Sequence, residues 1–127
     1  GKKDKVMERK NNLYDKALDF SKEIIMLYRE FEKSGVEKEI SKQLLRSGTS
    51  VGANISQAQG SISEADYIAK IHIAYKELLE TQYWIELLTY TKDIVDDKSK
   101  EFEAMISELS KILFTIMKNI RNKKLSK

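Results

Sequence analysis

Apolar residues recur along the chain at steps of three and four, the repeat of an α-helix, and do not alternate as they would in a half-buried strand. The first run, Leu13, Ala17, Phe20, Ile24, Leu27 and Phe31, draws a single stripe that Val6 extends backwards. Tyr14, Leu18, Ile25 and Tyr28 widen it beyond a coiled-coil seam, which predicts a helix packed in a globular bundle. Ser34-Gly35 predicts its end, because glycine enters the left-handed region without steric cost. A second run carries Ile40, Leu44, Val51 and Ile55. Its centre, RSGTSVGANIS, has low intrinsic helicity, yet Leu44, Gly48, Val51 and Ile55 stay in helical phase. The spacing therefore predicts one continuous helix, with Gly48 and Gly52 letting another backbone approach.

The next punctuation is Gln59-Gly60-Ser61-Ile62-Ser63, where Ser61 with Glu64 and Ser63 with Asp66 are rival caps. The third run is the most regular: Ile71, Ala74, Leu78, Thr81, Ile85 and Leu88, with Ile68 and Tyr75 beside it and Trp84 and Leu87 broadening it. After the polar run at Asp93–Asp97, a fourth stripe is read as Phe102, Met105, Leu109, Ile112, Ile116 and Ile120, leaving Phe114 and Met117 for a second packing surface. Helices over about 6–33, 36–59, 63–91 and 97–122 follow from these stripes and their breaks. Four helices of roughly 30–40 Å joined by short connections predict one all-α domain over residues 1–127, an up-down-up-down antiparallel four-helix bundle.

Composition narrows the function. The 127 residues contain no proline and no cysteine, so there is no disulfide framework, thiol nucleophile or thiolate metal site, and a reducing cytoplasm is the expected location. No stretch approaches a membrane span, and the basic start GKKDKVMERKN runs into a polar helical pattern in place of the apolar block of a signal peptide. Net charge is only +3, but it is uneven. Lys111–Lys127 has six basic residues and no acid, whereas Glu64–Tyr90 has two lysines against five acids. In an antiparallel bundle the start of the first helix and the end of the fourth share a pole. Lys2, Lys3, Lys5, Arg9 and Lys10 would there meet Lys118, Arg121, Lys123, Lys124 and Lys127, making a basic rim suited to RNA or DNA.

Catalytic chemistry is not expected. The glycines follow neither the phosphate-loop nor the dinucleotide spacing, and the one histidine, His72, belongs to no Glu-x-x-His pair, so neither cofactor nor metal is predicted. Tyr67, Tyr75, Tyr83, Trp84 and Tyr90 offer rings for base stacking, but on an acidic helix the expected use is core or subunit packing. Arg46 is expected to pair with Glu77 or Glu80, and Asn54 to hydrogen-bond across the bundle to one of the same glutamates.

The stretch QLLRSGTSVGANISQAQGSISEADYIAKIHIAYKELLETQYWIELL resembles the four-helix-bundle proteins encoded in bacterial 23S ribosomal RNA intervening sequences, and their relatives, the accessory variability proteins of diversity-generating retroelements. Arg46, Ser50, Asn54-Ile55-Ser56, Lys76-Glu77, Glu80-Thr81 and Tyr83-Trp84 carry the match. Gln57 stands where the family has an acidic residue, Ala58 where glycine is common, and Leu79 where a basic residue is frequent. The resemblance implies a homopentameric ring with a central channel. For the retroelement branch it implies nucleic acid and a reverse transcriptase as partners. Residues and resemblance together predict a non-enzymatic, self-associating protein that binds nucleic acid. The alternatives are a scaffold for an acidic protein, or an intervening-sequence protein of undefined function.

Overall fold

The computed structural model describes the helical course of residues 2–125 and the side chains of residues 12–125. It consists of α1 (Lys2–Ser34), α2 (Lys38–Gln59), α3 (Glu64–Tyr90) and α4 (Asp96–Leu125), with no strand among the described residues. Connections this short place consecutive helices side by side and antiparallel. Each helix packs on the next, and α1 also closes on α4 over a shorter stretch. That closure is held by Phe20 and Phe102, edge to face with ring centres 6.3 Å apart, and by the ion pairs Lys16–Glu108 and Lys98–Glu23.

Local chemistry sets the helix ends. Gly35 takes φ of 80° after α1, the left-handed conformation anticipated there. Ser63 is the cap of α3: its hydroxyl accepts a hydrogen bond from the Asp66 amide at 3.0 Å. Ser61, the rival, keeps a buried hydroxyl without a hydrogen-bond partner among the described residues. Helix α2 runs unbroken through both internal glycines. A Cβ added at Gly48 would lie 2.7 Å from Ile24 Cγ2, so α1 rests directly against the α2 backbone. That approach compensates for the roughly 1 kcal/mol by which glycine weakens a helix interior.

The stripes of α1 and α3 are buried as read: Leu13 through Phe31 on one, Ile71 through Leu88 on the other. Helix α4 differs. Its buried set is Ser99, Phe102, Ile106, Leu109 and Leu113, while Met105, Ile112, Ile116 and Ile120 are half-buried. The stripe expected through Met105 and Ile112 is corrected by a rotation about the helix axis. Both sets have helical spacing, and packing against α1 and α3 selects the one containing Ile106 and Leu113. Below Leu113 the core thins, and α4 continues to Leu125 with one flank open.

Candidate functional site

Two places in the molecule gather the side chains singled out from the sequence. The first is the seam between α2 and α3. Ser47 and Thr81, both buried, face each other across it with hydroxyl oxygens 2.9 Å apart. Thr81 Oγ1 also lies 2.7 Å from the Glu77 carbonyl and can donate its one proton to only one of these acceptors. Above this pair, Arg46 forks onto two carboxylates. Its Nη1 donates to Glu77 Oε2 at 3.0 Å, its Nη2 to Glu80, and its Nε to Gln43 at 3.2 Å. Partial burial opposes the charge on Arg46, but the hydrogen bonds to Glu80 and Glu77 outweigh it and hold the guanidinium above its ordinary pKa. Trp84 Nε1 donates to Glu80 Oε2 at 3.1 Å, and the indole meets the Tyr83 ring edge to face at 5.0 Å.

Asn54 does not reach these glutamates. Its Nδ2 donates instead to the Ser50 carbonyl one turn back, at 2.8 Å, which corrects the expected cross-bundle bond. The physical reason is phase: residues eight apart on a helix point about 80° apart, so Asn54 looks off the line on which Arg46 meets α3. Gln57 and Leu79 are both exposed and form no pair. With Ser47 opposite Thr81, the antiparallel register sets Gln57 roughly eight residues, about 12 Å, from the level of Leu79. The seam is thus a structural clasp, its donors satisfied within the protein.

The second place is a groove between the first half of α3 and the last turns of α4, with a volume of about 820 Å³. Ile68, His72 and Tyr75 recur along one flank of α3, and Phe114, Met117, Arg121 and Leu125 along the facing flank of α4. The groove exists because the core-facing set of α4 ends at Leu113 while its apolar residues continue. Phe114, assigned above to a second packing surface, is 54% exposed and lines this groove. Lys118, Arg121 and Lys124 line the same groove. Among the described residues no carboxylate pairs with them, whereas neighbouring Lys123 reaches Glu64 at 3.3 Å. The other half of the expected rim, Lys2, Lys3, Lys5, Arg9 and Lys10, lies outside the described side chains, as does Lys127.

His72 lies in this groove, and the described residues hold no group of three or more histidines and carboxylates arranged for a metal ion. No described helix is long and apolar enough to cross a membrane. Sequence reading missed the groove because its walls come from stretches some 45 residues apart, and only Phe114 and Met117, off the main stripe, signalled it.

A family model described as "23S rRNA-intervening sequence protein" matches residues 9–115, a span that contains all of α2 and α3. The chain belongs to this family. It is also similar to a crystal structure, at 1.70 Å resolution, of a protein of unknown function from the S23 ribosomal protein family of Bacteroides thetaiotaomicron VPI-5482. The two are 42% identical with a TM-score of 0.81, over 84% of this chain and 98% of that one. A comparison with curated proteins finds no match. The match to the 23S rRNA-intervening sequence family stops at residue 115, short of the cationic turns of α4.

Proposed function

We propose that the protein is a non-enzymatic, self-associating four-helix bundle that binds nucleic acid, RNA or DNA, through the basic end of α4. The observation that carries this reading is the placement of Lys118, Arg121 and Lys124 along one groove with no carboxylate partner among the described residues. Cations bound to internal acids are already neutralised; these three remain available to phosphate. Binding is favoured over catalysis because the polar side chains shared with the family, at Arg46, Glu77, Glu80 and Trp84, are engaged with one another.

The test is a titration of labelled structured RNA and single-stranded DNA at two salt concentrations. Three phosphate contacts on a single strand give a log–log slope of about −2. An affinity indifferent to salt, or no binding near physiological ionic strength, rejects the reading. The runner-up, a scaffold for an acidic protein, uses the same cations and predicts that second outcome.

Self-association, as the homopentamer the resemblance implies, is supported by exposed apolar side chains on diagonal helices: Leu18 and Met26 on α1, Leu79 and Tyr83 on α3. Contacts between two different faces generate rings when the rotation closes. Light scattering that returned a monomer mass at micromolar concentration would reject it.

A further inference from the structure

We infer that the α3–α4 groove seats unpaired nucleotides, with bases against Phe114 and Tyr75 and backbone phosphates on Lys118, Arg121 and Lys124. The inference rests on the nucleic-acid reading above and specifies the form of nucleic acid taken.

The groove combines two features that a duplex cannot use together. Its floor is apolar and partly aromatic, with Phe114, Tyr75, Ile68, Met117 and the imidazole of His72, while its wall carries three cations. Every base has a π-face that stacks on such a floor, so an unpaired strand gains from both features whatever its sequence. A duplex keeps its bases stacked inside and shows only sugar and phosphate. It would set charged backbone against Phe114 and Met117 and gain from the cations alone.

Size agrees. A volume of about 820 Å³ falls within the roughly 300–1,000 Å³ of sites that enclose drug-sized molecules, the scale of a nucleoside. Lys118 to Lys124 spans six residues, about 9 Å along α4, which suits one or two phosphates of an extended strand and leaves a wide duplex poorly covered.

Charge agrees as well, despite the acidity of α3. Glu77 and Glu80 face α2, where Arg46 holds them, so they are turned away from the groove. Glu64, at its end, is bound to Lys123. Among the described residues no carboxylate lines the groove itself.

The test measures binding of a short labelled oligothymidine and of a DNA duplex of the same length by the full chain and by Phe114→Ala, Phe114→Tyr and the double variant Lys118→Gln with Arg121→Gln. Phe114 is more than half exposed, so its variants should keep the fold, and the helical circular dichroism and melting curve check this. The expected result is tighter binding of the single strand than of the duplex. Phe114→Ala should weaken the single strand about 5- to 100-fold and leave the duplex unchanged, and Phe114→Tyr should restore binding. The double variant should weaken both and flatten the salt dependence.

Equal affinity for strand and duplex, with Phe114→Ala neutral, overturns the inference and leaves the nucleic-acid reading standing. Absence of binding to either overturns the inference, and absence of binding to structured RNA as well overturns the nucleic-acid reading. A lower assembly mass for Phe114→Ala overturns the inference too, because the groove would then be a contact between copies of this chain or with another protein's apolar segment.

Discussion

Helix α3 serves the α2–α3 seam with one flank and the α3–α4 groove with the other, and the two flanks are built on opposite principles. Toward α2 its polar atoms find partners, Thr81 at Ser47 and Glu77 and Glu80 at Arg46, and Trp84 adds a bond to Glu80 at the same seam. Toward the end of α4 it leaves Ile68, His72 and Tyr75 beside an unfilled space, and the cations opposite have no acid to pair with among the described residues. Satisfied chemistry marks a place that holds the fold. Chemistry left open marks a place that can receive something else.

The sharpest way to break this contrast is to truncate one apolar residue from each flank. Leu78, fully buried beneath the seam, should cost about 2–5 kcal/mol as Leu78→Ala, since the packed core cannot collapse to fill the space. Phe114→Ala should stay within about 0.5 kcal/mol in the same urea unfolding experiment, since much of the ring already faces solvent. A Phe114→Ala loss as large as that of Leu78→Ala would show that the groove belongs to the core.

Gly48→Ala is the next largest effect. The added methyl meets Ile24 Cγ2, Cγ1 and Cδ1 at 2.7–3.0 Å, and Ile24 is fully buried, so α1 must shift. Overpacking of about 1–3 kcal/mol, less the roughly 1 kcal/mol that alanine returns to helix propensity, leaves a net loss of up to about 2 kcal/mol in thermal unfolding. A gain in melting temperature would mean that the α1–α2 approach is looser than the distances show.

Arg46→Ala gives a smaller loss than Gly48→Ala. The guanidinium is nearly half exposed, so the loss should be about 0.2–1 kcal/mol and should shrink as salt is raised. A salt-independent loss of several kcal/mol would make the clasp a buried charge site and would weaken its reading as a solvent-edged structural fastener. The bridging role of Glu80 predicts in addition that Glu80→Gln changes the fluorescence of Trp84, whose indole N–H it accepts.

The sequence by itself determined the number and type of helices, the inward stripes of α1 and α3, the continuity of α2 through Gly48 and Gly52, and the turn at Gly35. These are local matters: a 3.6-residue repeat, a left-handed glycine and a capping hydroxyl act within a few residues of chain. Where local chemistry offered two answers, as with Ser61 and Ser63 before α3, sequence narrowed the choice and the structure made it. Tertiary structure alone decided which face of α4 turns inward, because Ile106 with Leu113 and Met105 with Ile112 are equally good helical stripes and only neighbouring helices distinguish them. It decided that Asn54 would bond to its own helix, since its direction depends on the angle at which α2 meets α3. It also made the groove. Apolar residues on α4 outlast the part of the core that can cover them, and no repeat in the sequence records where a neighbouring helix stops covering them.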